Sequence, residues 1–213
     1  MGGFLIRTAA RVILVDAGIG PIQREALQGG ALLDSLETLG IRPEDVTDVV
    51  LTHLHFDHVG WTAVGGRVIF PGATYRCHEA DWEHFVSGPH PETGSVRKLS
   101  AITDQLELFV DGQTLAPGVD TRLAPGHSHG TTIVVISSSG ESAMLMGEVV
   151  PCTIEITADV WEAVYDVVTD LEDRTSVSLA GGIEGGDVTV GAATFSGKRV
   201  CGLASAPGRR RCR

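Results

Sequence analysis

The heptapeptide Thr52-His53-Leu54-His55-Phe56-Asp57-His58 constrains this chain more than any other feature. It sets three histidines and one aspartate within six residues. His53 and His55 are two apart, so on an extended backbone they point to the same side. Asp57 and His58 are adjacent and project in different directions. One short loop can therefore offer ligands to two neighbouring metal ions. Imidazole nitrogen with carboxylate oxygen suits Zn2+, and also Fe or Mn. Such a loop needs a rigid base, and the apolar residues 49–51 just before it read as a buried strand.

A second histidine cluster occurs in Ala124-Pro125-Gly126-His127-Ser128-His129-Gly130. It lies between strand candidates at 121–123 and 133–137. Pro125 and Gly126 impose a tight turn that can present His127 at a strand end. For His129 a solvent-facing loop position and a functional one stay equally open. A third element is Leu145-Met146-Gly147-Glu148, a carboxylate directly after a strand and a glycine. Alone it is a weak signal, because most such residues are solvated.

Elsewhere the pattern alternates short strands with helices. Phe4–Arg7 and residues 12–16 predict an opening hairpin. Leu32, Leu33, Leu36 and Leu39 recur at helical spacing, with Gly40 as a C-cap. Residues 68–70 and 74–77 predict strands, 79–85 a helix, and 87–95 a loop. Strands follow at Leu106–Phe109 and 143–146, helices at 161–166 and 171–179, and late strands at 188–190 and 199–201. The basic end, residues 208–213, is expected as a solvated tail. With 213 residues and 43% hydrophobic content, a single domain over 1–213 with a sizeable core is expected.

In this order the motifs resemble the metallo-β-lactamase superfamily. The opening Val12-Ile13-Leu14-Val15-Asp16-Ala17-Gly18 is similar to that family's early strand ending in Asp-x-Gly. The resemblance implies an α/β fold, an αββα sandwich of two mixed sheets flanked by helices. It further implies a dinuclear centre at one edge. By analogy His53, His55 and His127 hold the first metal, and Asp57 and His58 belong to the second. Glu148 stands where the family has a bridging aspartate. Two departures accompany the resemblance. Glu148 is one methylene longer than aspartate. Thr194, in Gly191-Ala192-Ala193-Thr194-Phe195, occupies the place of the family's last histidine, and no histidine follows His129.

Composition narrows the function. Sixteen Lys and Arg against 27 Asp and Glu give a formal net charge of −11, which disfavours a nucleic-acid binder. No apolar run reaches the roughly 20 residues of a membrane span. Arg7 and Arg11 interrupt the N-terminal apolar stretches, so a cytoplasmic setting is expected, with Cys77, Cys152, Cys201 and Cys212 as reduced thiols. The expected activity is a zinc-dependent, lactonase-like hydrolase acting on a small ester, lactone or related carbonyl substrate. Asp57 would orient the attacking water or move its proton. Two alternatives stand beside it: a degenerate homologue with one metal and weak or no catalysis, and a thioesterase of the glyoxalase type. Tyr75 and His78 could reach a substrate, although packing is the weightier reading of both.

Overall fold

Short runs rich in apolar residues, such as residues 12–15, build the first sheet. The computed structural model describes residues 2–24, 27–110, 112–149, 189–194, 200–206 and 209–212. Two units divide the chain, Met1–Val110 and Asp111–Arg213.

In the first unit the strands are β1 (Phe4–Arg7), β2 (Val12–Val15), β3 (Gln23–Arg24), β4 (Leu27–Gln28), β5 (Asp48–Val50), β6 (Ala63–Val64), β7 (Arg67–Val68), β8 (Thr74–His78) and β9 (Leu106–Phe109). Five form one mixed sheet in the order β1-β2-β5-β8-β9. β1 and β2 are the expected hairpin. β2, β5, β8 and β9 then run parallel, so β5 is covered on both edges. β3–β4 and β6–β7 are separate two-stranded ribbons.

Helix α1 (Ala31–Thr38) matches the leucine spacing. It ends in a Schellman arrangement: Gly40 N–H donates to Glu37 O, and Ile41 N–H to Leu36 O, each at 2.9 Å. Gly40 takes φ 70°, where glycine has no Cβ penalty. Leu36 and Ile41, the hydrophobic pair that accompanies this cap, both belong to the core. α2 (Glu79–Trp82) passes into a π-helical turn, Glu83–Ser87. α3 (Thr93–Leu99) follows. Leu14, Val49, Leu51, Leu54, Phe70, Tyr75, Leu99 and Ile102 are fully buried in one cluster. Each such aliphatic side chain contributes about 1.5–3 kcal/mol.

The second unit is a single sheet in sequence order: β10 (Thr114–Ala116), β11 (Val119–Leu123), β12 (Thr132–Ser138), β13 (Glu141–Leu145), β14 (Thr189–Gly191), β15 (Val200–Ala206) and β16 (Arg209–Cys212). Every pairing is antiparallel except β13 with β14. Ile133, Met146, Val149, Val190 and Ala192 form its own core cluster. Among the described residues both units thus carry mixed sheets, with few helices, in keeping with the expected α/β class.

Several expectations are corrected. Residues 68–70 are not a strand: Val68 ends the small β7, and Phe70 leaves the sheet to fill the core. The helix over 79–85 changes to π geometry at Glu83. The loop at 87–95 ends early, because α3 starts at Thr93. The basic end is a strand paired with β15, not a free tail. Cys77 is free and buried, but Cys201 is disulfide-bonded, against the expectation of four reduced thiols. Cys152 and the helices expected at 161–166 and 171–179 lie outside the described residues. Among the described residues no helix is long and apolar enough to cross a membrane.

Candidate metal centre

In an open sheet with parallel strands, ligand sites form beyond the carboxyl ends of the strands. The first unit places Asp16 at that end of β2 and the histidine loop at that end of β5. The two ends are stitched together: Asp16 N–H donates to Val50 O at 2.9 Å, and Leu51 N–H to Arg76 O at 2.8 Å. Leu54 is buried in the core cluster, so the ligand loop is anchored between its first two histidines.

Asp16 organises the loop. Its backbone takes φ 62°, a left-handed conformation that aspartate tolerates better than most residues. Asp16 is 1% exposed, and its carboxylate accepts two donors of Thr52 and lies against His58. Thr52 N–H donates to Oδ1 at 2.8 Å, and Thr52 Oγ1 to Oδ2 at 2.9 Å. His58 Nδ1 lies 2.9 Å from Oδ2. A carboxylate at ion-pair distance draws the imidazole proton to the nitrogen that faces it, which favours Nδ1–H and leaves the Nε2 lone pair open. The single Thr52 hydroxyl proton goes to Asp16. Thr52 Oγ1 is then the acceptor for His53 Nδ1, 3.2 Å away, and His53 is likewise left with an Nε2 lone pair. One buried carboxylate therefore sets the tautomers of two histidines, one directly and one through a hydroxyl.

The three imidazoles sit together. The ring centroid of His53 is 4.8 Å from that of His55 and 4.0 Å from that of His58. Phe85, from the π-helical turn, stacks edge-on against His55 at 5.1 Å. Asp57 is half-buried, with Oδ2 4.0 Å from His58 Nε2. The loop closes on itself where His58 N–H donates to His55 O at 3.0 Å, and on the β2 end where Ala17 N–H donates to His58 O at 2.7 Å.

The second unit assembles its own pair. β11 and β13 are both antiparallel to β12, so their carboxyl ends share one edge of the sheet, and β14 runs parallel to β13. His127 follows β11, Glu148 follows β13 and Thr194 follows β14. His127 Nε2 lies 2.8 Å from Glu148 Oε2, both buried. Gly126, at φ 150°, and Gly147, at φ 58°, make the turns that precede them. Ser128 and Thr131 brace the His127 turn: Ser128 N–H donates to Thr131 Oγ1 at 2.8 Å, and the two hydroxyls are 2.7 Å apart. Thr194 Oγ1 is buried with no hydrogen-bond partner among the described residues. His129 is exposed beside this turn.

Buried imidazoles with fixed tautomers and buried carboxylates beside them are a donor set that suits zinc or a similar transition metal. Tyr75 and His78 do not join it. Tyr75 is buried, its hydroxyl donating to Thr62 O and accepting from Phe70 N–H, each at 3.3 Å. His78 caps α2, with Nδ1 accepting from Ala80 N–H at 3.1 Å, and its Nε2 lies 2.7 Å from Val110 O. Asp16, Phe85 and the Ser128–Thr131 pair carry no distinct signal of their own in the sequence. Only the Asp-x-Gly opening pointed at Asp16.

Comparison with known proteins speaks to the family and the fold. The sequence profile of the metallo-beta-lactamase superfamily matches residues 3–182. Ribonuclease Z of Mycobacterium bovis is 28% identical over 171 residues, which is 70% of this chain and 56% of that protein. N-acyl homoserine lactonase of a Bacillus species is 24% identical over 161 residues, 67% of this chain and 60% of that protein. The chain thus spans between half and two thirds of the length of these curated relatives. The solved structure of AidC, a dizinc quorum-quenching lactonase in complex with a product, superposes with a TM-score of 0.87 at 22% identity, covering 98% of this chain and 76% of that one. At that identity the likeness speaks for the fold. A profile match over most of the length decides the family: the chain belongs to the metallo-beta-lactamase superfamily.

Proposed function

We propose that the two units act as one domain over 1–213, that their ligands close on one metal centre, and that the protein hydrolyses a small ester, lactone or related carbonyl compound. The observation that carries this reading is the Asp16-centred network, which fixes His53 and His58 as Nε2 donors in a buried loop. On this reading His53, His55 and His127 would serve one metal and Asp57 and His58 a second, with Glu148 shared between them.

Zinc, when bound by such a set, polarises a carbonyl oxygen and brings the pKa of its water to about 7. The chain's own residues do the rest. Asp16 and Thr52 hold His58 and His53 in the ligating tautomer. Asp57, half-buried beside His58, accepts the proton of the attacking water. Water oxygen bonds to the carbonyl carbon, the carbon–oxygen bond of the ester breaks, and Asp57 returns the proton to the departing alkoxide. The product is an acid and an alcohol, joined in one molecule when the substrate is a lactone.

A ribonuclease reading, suggested by one relative, meets the −11 charge, which opposes a phosphate backbone. A second reading does have an observation behind it. Thr194 gives a hydroxyl where the family has an imidazole, which favours a protein with one tightly held metal and reduced activity. Metal counting on protein purified with zinc, followed by hydrolysis assays on lactones, thioesters and β-lactams, separates the two readings. At least one zinc per chain with lactone hydrolysis is expected. His53→Ala should lose that zinc, and with it the thermal stabilisation that a bound metal supplies. Less than about a tenth of an equivalent of metal per chain would overturn both readings, since either requires at least one tightly held ion.

A further inference from the structure

The segment after β8 reaches the ligand loop at three points. Phe85 of the π-helical turn packs on His55. Ser95 Oγ donates to Leu54 O at 2.8 Å, with Glu92 Oε2 also 3.3 Å away. Lys98 Nζ donates to Gly60 O at 2.7 Å. Glu92 N–H donates to Phe85 O at 2.9 Å and so joins the turn to α3. Ser95 and Lys98 are three apart on α3, hence on one face of the helix. The two carbonyls they hold bracket His55, Asp57 and His58.

We propose that Ser95 and Lys98 are positioning residues, which clamp the two ends of the ligand loop from one face of α3 and hold its side chains in ligating geometry. Both donors act on backbone carbonyls, so the clamp sets the course of the loop itself. At Gly60 the loop is gripped from the other side too. Gly60 N–H donates to Gly18 O at 2.6 Å. A Cβ at Gly60 would run into the backbone of Gly18, Ile19 and Gly20. The loop end is therefore pressed between the β2 turn and α3, with no room to relax.

Lys98 is half-buried, and burial lowers its pKa. Among the described residues no carboxylate pairs with it. An ammonium that gives up hydration without a countercharge costs stability. Here it makes a charge-assisted hydrogen bond to one carbonyl, a stronger link than a neutral donor would make. Ser95 is fully buried, so its hydroxyl is committed to the loop.

The effect on metal binding rests on the metal-centre reading, but the clamp itself does not. Lys98→Met keeps the aliphatic stem and removes the donor, Ser95→Ala removes the other, and Lys98→Arg restores a cationic donor. Two measurements test them on the full chain. Amide hydrogen exchange on metal-free protein follows His58, Gly60 and Trp61. Lys98→Met should speed their exchange roughly tenfold or more, while Val50 and Leu51 keep their rates. Zinc affinity, by competition with a chelator, should fall 10–100-fold in Lys98→Met and in Ser95→Ala, the range seen when a partner of a ligand is removed. Lys98→Arg should recover most of it. Unchanged loop exchange in both donor-loss variants overturns the clamp. So does faster exchange spread evenly through β5 with zinc affinity intact, which marks a purely structural helix contact. If the unaltered protein takes up no zinc, the metal-centre reading fails, and the exchange measurement alone decides the clamp.

Discussion

Asp16→Asn is the sharpest test of the network beneath the histidines. Asparagine accepts the left-handed backbone at φ 62° as readily as aspartate does, so the turn should survive. Its carbonyl can still accept Thr52 N–H at the Oδ1 position. At the Oδ2 position an amide NH2 replaces an acceptor. It would face Thr52 Oγ1 and His58 Nδ1, each 2.9 Å away and each now donating. His58 can relieve the clash only by moving its proton from Nδ1 to Nε2, the atom the metal needs. Thr52 keeps an acceptor, because its hydroxyl is also 3.0 Å from the Oδ1 position and can donate to the amide carbonyl there, so His53 keeps its tautomer. Each buried donor or acceptor left without a partner costs about 1–3 kcal/mol, so the one reversed contact, at His58, should lower metal-free stability by about that amount. Zinc affinity should fall by 10–100-fold, because the partner of one candidate ligand is reversed. The assays are denaturant unfolding of the metal-free protein and zinc competition against a chelator. Zinc affinity within twofold of the unaltered protein would refute the reasoning, since the His58 tautomer would then be set by something other than Asp16.

Three further outcomes follow from particular residues. In chelator titration with metal counting, one zinc per chain should leave well before the other, and Thr194→His should bring the two affinities together. Asp48→Ala, at the amino end of β5, strips Arg11 and Arg76 of a fully buried carboxylate partner; melting should show a loss of about 3–5 kcal/mol with zinc content unchanged. Tyr75→Phe removes two long hydrogen bonds and should cost about 0.5–1.5 kcal/mol without altering hydrolysis, as a packing residue requires.

The histidine loop was legible because its chemistry is local. Histidine spacing on an extended chain fixes which side chains share a side, and an apolar run into the loop marks its base strand. The leucines of α1 were legible for the same reason, a short period with a glycine stop. What stayed hidden depends on partners far apart in sequence. Asp16 meets Thr52 and His58 only because β2 and β5 pair in parallel, a register that no spacing records. The start of α3 inside an apparent loop was hidden by Gly94 and the prolines before it, since its stability comes from packing Leu99 and hydrogen-bonding Ser95, not from propensity. The basic end looked solvated because arginines dominate it, yet pairing with β15 makes it a strand. Thr194 could be named as a departure from the sequence, whereas its buried hydroxyl without a partner belongs to the fold.

Strand ends also explain why structure and chemistry are inseparable in this chain. Beyond its last residue a strand loses its ladder, and buried N–H groups there must find other acceptors. Asp16 supplies one to Thr52 N–H at the end of β5, and Thr131 supplies one to Ser128 N–H after β11. The same Asp16 orients His58, and the Ser128–Thr131 pair shapes the turn that carries His127. The groups that complete the sheets are therefore the groups that aim the candidate ligands. A substitution among them should disturb folding and metal binding together, while one at the amino ends of the strands, such as Asp48, should disturb folding alone.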